Sequence, residues 1–349
     1  MSTRATQQPG GQVRLDGRRV LLVLASSTGG VGIHVRALAA GLRERGATVT
    51  VAAPSSTQEV FRYDGHRAVE IGGRPNPVRD AAAVALLRRL SGRADLVHAH
   101  GLRAGALAVL AAARRPTVVT WHNVVDGRLG TALERLVARR ADVTLAASSD
   151  LLARARAAGA VDARPSAVAP PPLRPSGRDP GLGRPLVLAV GRLHAQKGYD
   201  VLIEALPLLG DAVVAVAGDG PLEQELRAAA PQVQWLGRRD DVADLYAVAD
   251  VVVLPSAWEA RSLTAQEALR AGRPLVATAV GGLPGLLGKG AVLVPPGDAA
   301  ALGRAVRRLL DHPGEAAELA ARGRQVASSW PDEQDSVAQV AALYAELLG

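Results

Sequence analysis

Two cationic side chains, Arg192 and Lys197, stand five residues apart in a glycine-bounded segment that follows a β-type run. Of the 41 lysine and arginine residues only two are lysines, so lysine is not the general surface charge of this chain. Arginine offers a rigid planar fork, and lysine offers a compact charge on a flexible stem. A site that uses one of each suits a diphosphate. A solvated lysine at a helix start is the alternative explanation.

Two glutamates, Glu259 and Glu267, form a second candidate set. Glu259 falls in the loop after an apolar run, and Glu267 is predicted in the first turn of the next helix. Ser262 and Leu263 would lie at the start of that helix, where backbone amides are free. Amides that bind phosphate and carboxylates that bind hydroxyls suit a sugar nucleotide. Residues 264–267 also fit a capping box, in which Glu267 would only close the helix start.

Three histidines lie at or just past predicted strand ends, where an imidazole can contact a ligand or transfer a proton. His98 and His100 alternate along one strand, and His122 follows another. His98 is expected to be a core residue bonded to backbone, whereas His100 and His122 are functional candidates. The pair His98 and His100 would share a strand face, which raises the question of a metal. No third ligand with suitable spacing is evident, so we expect no metal site.

A glycine-rich loop containing Gly29 and Gly30 follows the first predicted strand. Glycines between a strand and a helix let the backbone approach a phosphate at the helix start. The dinucleotide fingerprint fails because Val35 stands where its last glycine should be, and no Walker lysine follows. A tight strand-to-helix turn explains the same glycines.

The elements that must position these residues alternate between short β-branched runs and Ala/Leu/Arg-rich helical stretches. Such alternation predicts an α/β fold with parallel sheets and helices on both faces. In these sheets ligands bind beyond the carboxyl ends of the strands, where the candidate residues fall. Strands are predicted at residues 20–24, 48–52, 96–98, 117–120, 143–146, 186–190, 213–217, 233–236, 251–254, 275–278 and 291–294.

A length of 349 residues favours two domains. Residues 169–185 are too rich in proline and glycine to continue a helix or a central strand, and they contain the predicted linker. The predicted organisation is a loose tail over residues 1–19, an N-terminal domain over 20–172, a linker over 173–185 and a C-terminal domain over 186–328. Residues 329–349 are predicted to form one amphipathic helix.

Composition excludes several classes of protein. The chain has no cysteine, which excludes disulfides and thiolate metal sites. It has no apolar run long enough to span a bilayer, and its first 19 residues lack the apolar centre of a signal peptide, so a cytoplasmic location is expected. The net charge of +8 comes from dispersed arginines without a nucleic-acid motif. Peripheral contact with an anionic membrane stays open, and nothing indicates an oligomeric state.

Four motifs in order resemble the retaining GT-B glycosyltransferases of family GT4, also called group 1, over nearly the whole chain. They are the Gly-Gly-Val-x-x-His-Val start, Gly-Arg-x4-Lys-Gly, Gly-x-Gly-Pro and Glu-x7-Glu, at residues 29–35, 191–198, 218–221 and 259–267. The resemblance implies two Rossmann-like domains facing across a cleft, with the terminal helix crossing back to the N-terminal domain. It also implies a UDP- or GDP-sugar donor, a metal-independent reaction and no cofactor.

The resemblance places the donor mainly in the C-terminal domain. It implies that Arg192 and Lys197 bind the diphosphate, together with amides near Ser262 and Leu263. It implies that Glu267 binds the ribose hydroxyls. Two cations fixed at the diphosphate would stabilise the leaving group by electrostatic preorganisation.

The same resemblance assigns roles around the transferred sugar. Glu259 would hold the sugar ring beside the reacting carbon. Gly29 and Gly30 would let the N-terminal domain approach the phosphates, and His122 would touch the donor sugar. His100 is the acceptor-side candidate, although the acceptor, whether lipid, glycan or small metabolite, is not indicated.

Two positions depart from the family pattern and leave the sugar open. Ala260 stands where the family usually has glycine, and Gly285 stands where it usually has glutamate. Two alternatives to transfer also remain at this stage. One is a GT-B relative with epimerase or phosphorylase chemistry, and the other is a non-catalytic protein that binds nucleotide or anionic lipid.

Overall fold

The computed structural model describes residues 13–112, 114–125 and 127–349. They form two compact units, of which the first comprises the chain up to Pro171 together with Pro331–Gly349. The second unit is Pro172–Trp330. The division after Pro171 falls inside the proline-rich stretch of residues 169–185, and residues 173–185 pack as part of the second unit.

The first unit is built on a parallel sheet that has seven strands among the described residues, in the order β3-β2-β1-β4-β5-β6-β7. The order reverses between β1 and β4, which makes the carboxyl ends of these two strands the topological switch point. The strands are β1 (Arg19–Leu24), β2 (Thr48–Ala53), β3 (His66–Ala68), β4 (Leu96–His100), β5 (Thr117–Trp121), β6 (Val143–Ala146) and β7 (Ala163–Pro165). The helices are α1 (Gly30–Glu44), α2 (Ser55–Phe61), α3 (Pro77–Ser91), α4 (Leu102–Ala111), α5 (Gly127–Arg140) and α6 (Ser149–Ala157).

The second unit repeats this plan with six parallel strands in the order β10-β9-β8-β11-β12-β13, so its switch point lies between β8 and β11. The strands are β8 (Leu186–Val190), β9 (Val213–Ala217), β10 (Gln234–Gly237), β11 (Val251–Leu254), β12 (Leu275–Thr278) and β13 (Val292–Val294). The helices are α7 (Tyr199–Ala205), α8 (Glu223–Ala229), α9 (Val242–Val248), α10 (Leu263–Arg270), α11 (Leu283–Leu287), α12 (Ala299–Asp311) and α13 (Pro313–Ser328). Short 3₁₀ helices cover Ala195–Lys197 and Leu206–Leu208.

Strand β8 shows why these runs are continuously apolar. Successive side chains of a strand point to opposite faces. Leu186 and Leu188 enter one apolar cluster of the second unit, while Val187 and Ala189 enter another. A strand buried on both faces needs apolar residues at every position, as expected for a parallel sheet covered by helices. The predicted α/β fold with two Rossmann-like sheets is thereby confirmed.

The last helix, α14 (Glu333–Leu348), packs in the first unit. It begins with a capping box between Asp332 and Asp335. Its buried face carries Val337, Val340 and Tyr344, which join the apolar core that also contains residues of α1. No helix among the described residues is both long and apolar enough to cross a membrane.

The start of the described chain differs from the loose tail predicted over residues 1–19. Residues 1–12 of that prediction lie outside the described part. From Val13 onward the chain is packed, since Leu15 is only 2% exposed and its amide donates to the Arg45 carbonyl oxygen over 2.7 Å. Two apolar residues, Val13 and Leu15, are too few to give a periodic pattern, which is why the sequence did not reveal this contact.

Candidate functional site

Two loops at the switch point of the second unit are tied to each other. They follow β8 and β11, and the Ala257 amide donates to the Gln196 carbonyl oxygen over 2.8 Å. The Gln196 side chain donates in turn to the Trp258 carbonyl oxygen over 2.8 Å. Gly198 has φ 64°, and a Cβ there would lie 2.1 Å from the Pro255 carbonyl oxygen. Only glycine permits this approach, so the two loops hold their side chains in a fixed relation.

Lys197 and Glu259 meet where these loops join. The Lys197 ammonium lies 2.5 Å from Glu259 Oε1, and the two side chains are 20% and 8% exposed. Ser256 Oγ donates to the same carboxylate oxygen over 2.8 Å. Lys197 is therefore not a solvated lysine. Arg192 is exposed on the same loop, without an ion-pair partner in the part of the chain that the structure describes.

Helix α10 begins where the predicted phosphate-binding amides lie. Its N-cap is Ser262, whose hydroxyl accepts from the Ala265 amide over 3.3 Å, and Leu263 is its first residue. The capping-box explanation of Glu267 is wrong, because the helix starts earlier than that box requires. Thr264 instead donates its hydroxyl to the Val190 carbonyl oxygen over 3.2 Å. Glu267 therefore lies beyond the first turn and has no capping role.

Glu267 is held by a residue that the sequence did not reveal. The Tyr246 hydroxyl, on α9, donates to Glu267 Oε2 over 3.1 Å. Burial raises the pKa of Glu267 to about 7, against the opposing effects of the Tyr246 hydrogen bond and the charges of Arg270 and Lys197. The charge of this carboxyl group therefore changes near neutral pH. No sequence spacing relates Tyr246 to Glu267, since only the packing of α9 brings them together.

The loop that carries Arg192 is braced by the Gly-x-Gly-Pro turn. The Leu193 amide donates to the Asp219 carbonyl oxygen over 2.8 Å, and the Leu222 amide donates to the Leu193 carbonyl oxygen over 3.1 Å. A Cβ at Gly220 would lie 2.4 Å from the Leu193 carbonyl oxygen, so a glycine of this turn also permits the close approach of the neighbouring loop.

In the first unit, His98 is a core residue, as predicted, but with other partners than the backbone. Its Nδ1 lies 2.7 Å from the Tyr344 hydroxyl, and its Nε2 lies 2.7 Å from Thr120 Oγ1. Both ring nitrogens are engaged and the side chain is fully buried. His98 therefore has no nitrogen left for a ligand.

His100 and His122 come together with a third imidazole. His100 Nδ1 lies 3.1 Å from His122 Nε2, and His34 on α1 completes what we call the three-histidine cluster. The sequence showed no third ligand with suitable spacing, whereas the packing of α1 brings the His34 ring to His100 and His122. The available signal was the position of His34 one helical turn after Gly30, on a helix that starts at the switch point.

Burial determines the charge of the three-histidine cluster. It lowers the pKa of His34 to about 4. Burial, together with repulsion among the rings, holds the pKa of His100 and His122 well below the ordinary value. All three imidazoles are therefore neutral at pH 7, and each has one nitrogen lone pair, of which one accepts the hydrogen bond between His100 and His122. Gly29, the N-cap of α1, has no atom within 4 Å of a Cβ built there, so its backbone is open to a ligand.

Comparison with known proteins identifies the family. Residues 28–176 match the family described as Glycosyltransferase Family 4, and residues 184–312 match Glycosyl transferases group 1. D-inositol 3-phosphate glycosyltransferase 1 of Catenulispora acidiphila is 30% identical over 89% of this chain and 90% of that protein. The chain belongs to the group 1, or family 4, glycosyltransferases. It is accordingly a transferase enzyme, as the motifs predicted.

Two further matches are a relative aligned over half of the chain and a solved structure of low sequence identity. The 2-deoxystreptamine glucosyltransferase of Streptomyces kanamyceticus is 33% identical over 49% of this chain, and the alignment spans only 48% of that protein. Among solved structures, Anabaena HepE in complex with UDP and glucose aligns with a TM-score of 0.81 at 20% identity, covering 94% of this chain and 100% of that one. At this identity the structural match supports the GT-B fold alone.

Proposed function

We propose that this enzyme transfers a sugar from a nucleoside-diphosphate sugar to an acceptor, with retention of the anomeric configuration. The observation that carries the proposal is the buried ion pair of Lys197 and Glu259, which lies at the switch point of the second unit beside the start of α10. The UDP and glucose bound to Anabaena HepE support a sugar-nucleotide donor.

The proposed diphosphate site uses charges that are already in place. Arg192 presents an exposed guanidinium, Lys197 presents an ammonium, and Ser262 and Leu263 present amides at a helix start. Negative charge builds on the diphosphate as the sugar departs, and preorganised donors stabilise that charge. Glu259 forms an ion pair with Lys197, so an arriving diphosphate competes with this carboxylate for the ammonium. This arrangement needs no metal for departure of the leaving group.

The two glutamates take different parts of the donor. Glu267, once ionised, accepts hydrogen bonds from the two ribose hydroxyls, since a carboxylate has two acceptor oxygens. The Tyr246 hydroxyl donates one hydrogen bond to Glu267 Oε2 and thereby orients the carboxylate. Glu259, held by Ser256 and Lys197, accepts from hydroxyls of the sugar ring.

For the first unit the support is family membership. We retain Gly29 and Gly30 as donor contacts, His122 as a contact of the transferred sugar and His100 as an acceptor-side residue. The open backbone at Gly29 is compatible with its role.

Two residues that differ from the family pattern, Ala260 and Gly285, bear on the identity of the transferred sugar. Ala260 is buried, with 7% exposure, next to Glu259. Gly285 lies in α11 and supplies no carboxylate. Hydrolysis of UDP-, GDP- and ADP-sugars, each with glucose or mannose, would identify the donor. Proton NMR of the first sugar released would report whether its anomeric configuration is retained.

The two lysines of the chain allow a matched control. Lys197→Ala should lower the rate of donor cleavage by roughly 10²–10³, the loss typical for one preorganised donor to a developing charge. Lys289→Ala, which removes the other, exposed lysine, should leave the rate unchanged. Absence of cleavage with every donor in the wild type, or equal rates in both variants, would contradict the proposal.

Lysine labelling gives an independent readout. An amine-reactive ester should modify Lys289 equally with and without the donor, while bound donor should protect Lys197. Mass spectrometry of the two peptides measures both sites in one sample. Equal labelling of Lys197 in the two samples would place the diphosphate elsewhere.

A further inference from the structure

The three-histidine cluster of the first unit is a second candidate site, separate from the donor-binding residues of the second unit. His34 and His100 are 3% and 2% exposed, and the Nε2 atom of each ring is buried without a hydrogen-bond partner among the residues that the structure describes. An unsatisfied buried polar atom costs about 1–3 kcal/mol, so few native structures keep two side by side without a reason.

The centroids of the three rings form a nearly equilateral triangle, although the rings of His100 and His122 are stacked and that of His34 is edge-on to both. The ring centroids of His34 and His100 are 5.6 Å apart, those of His34 and His122 are 5.5 Å apart, and those of His100 and His122 are 5.4 Å apart. One ring nitrogen from each residue lies within 4.8 Å of the other two. Three imidazoles on one tetrahedral zinc ion, with Zn–N near 2.0–2.1 Å, place their centroids roughly 5 Å apart. A small closure of the rings would complete such a site.

The chemistry of the ligand set selects the ion. Three neutral imidazoles without a carboxylate favour zinc, copper and nickel over magnesium and calcium, which prefer oxygen. His98 is excluded from the set because both of its ring nitrogens are bonded. The described part of the chain offers no fourth protein ligand to this group, so a water would complete the coordination.

We propose that His34, His100 and His122 bind one divalent transition-metal ion, with Zn²⁺ as the ion to test, at the carboxyl edge of the first sheet. With the ion bound, His100 and His122 are its ligands, so the acceptor-side and sugar contacts proposed for them above belong to the metal-free protein. The site joins helix α1 to the ends of β4 and β5. An ion there would fix the start of α1 relative to the sheet and stabilise the first unit by mass action. The proposal does not rest on the donor site of the second unit.

Calorimetry of the tag-free, metal-depleted full chain with ZnCl₂ tests the stoichiometry and affinity. We expect one tight site in the wild type, and no binding of Mg²⁺. His34→Asn, His100→Asn and His122→Asn should each weaken Zn²⁺ binding at least about tenfold, since even outer-shell changes cost that much. His66→Asn, which changes a histidine of the same unit on strand β3, should bind like the wild type.

Cobalt spectroscopy keeps the test independent of whether the variants fold. Co²⁺ bound to the wild type should give the intense visible bands of a four-coordinate site, and Zn²⁺ should displace it. Because the chain has no cysteine, no thiolate can produce these bands. Zn²⁺ should also raise the melting temperature of the wild type. Absence of binding at 100-fold molar excess, or affinities unchanged in all three folded variants, would overturn the proposal.

Discussion

Glu267→Gln should stabilise the folded protein at alkaline pH while removing a proposed donor contact. Burial raises the pKa of Glu267 from 4.5 to about 7, so the folded state holds this proton more tightly than the unfolded chain does. Stability from this group is therefore present at low pH and is lost as the pH rises from about 4.5 to about 7. Because glutamine does not titrate, Glu267→Gln removes this pH-dependent loss of stability.

The magnitude follows from the pKa shift. At pH 8 the ionised carboxylate of Glu267 costs about 3 kcal/mol of unfolding free energy, and at pH 5 it costs about 1 kcal/mol. The stability of Glu267→Gln relative to the wild type should thus rise by about 2 kcal/mol between pH 5 and pH 8, with a plateau above pH 7. Contributions from all other titrating groups cancel in this difference.

Urea unfolding at pH 5, 6, 7 and 8, followed by tryptophan fluorescence, measures this difference. Three of the four tryptophans lie in the second unit, so the signal reports mainly on it. Glu225→Gln, at an exposed carboxylate of α8, is the matched control and should give a pH-independent difference. The hydrogen bond from Tyr246 lowers the pKa of Glu267, so Tyr246→Phe should raise this pKa. The pH at which the protein loses stability should therefore be higher in Tyr246→Phe than in the wild type. Parallel stability profiles of wild type and Glu267→Gln would refute the reasoning.

Three further outcomes are expected. Calorimetry should show the affinity for the ribose-containing part of the donor falling about tenfold per pH unit below pH 7, because only the ionised Glu267 accepts from both ribose hydroxyls. An affinity that does not change with pH would exclude this role of Glu267. Gly198→Ala should lower the urea unfolding free energy by at least about 2 kcal/mol, whereas Gly297→Ala, with φ 74° and no atom within 4 Å, should lose only about 1 kcal/mol. Ser256→Ala should reduce the rate of donor cleavage roughly tenfold by removing a hydrogen bond to the charged Glu259, and rescue by Ser256→Thr would separate positioning from packing.

Much of the fold could be predicted because buried parallel strands correspond to short apolar runs in the sequence. Every predicted strand is present, with ends shifted by a few residues. The strands β3 and β7 escaped prediction, since three-residue edge strands containing histidine, arginine or proline have no apolar run. Strand β4 continues beyond its predicted end to His100, because a neutral imidazole can be buried within a sheet.

The site was predictable where its residues lie in loops that follow predicted strands. Lys197, Glu259 and the start of α10 lie in loops after strands, so their common edge follows from topology. Their mutual contact does not, because it depends on how closely two loops approach. Tyr246 and His34 were not found for the same reason, since each is brought to its partner by the packing of a helix. The capping-box interpretation of Glu267 failed because local spacing cannot tell which of two polar residues, Ser262 or Thr264, begins a helix.

The position of α14 has a consequence for the order in which the protein is made. Its buried side chains complete the core around α1, yet the whole of Pro172–Trp330 is synthesised before them. During vectorial synthesis the second unit can thus close its core while the first still lacks its final helix. Until α14 is made, the first unit exposes the apolar surface that this helix later covers. We expect chaperones to bind this surface during synthesis.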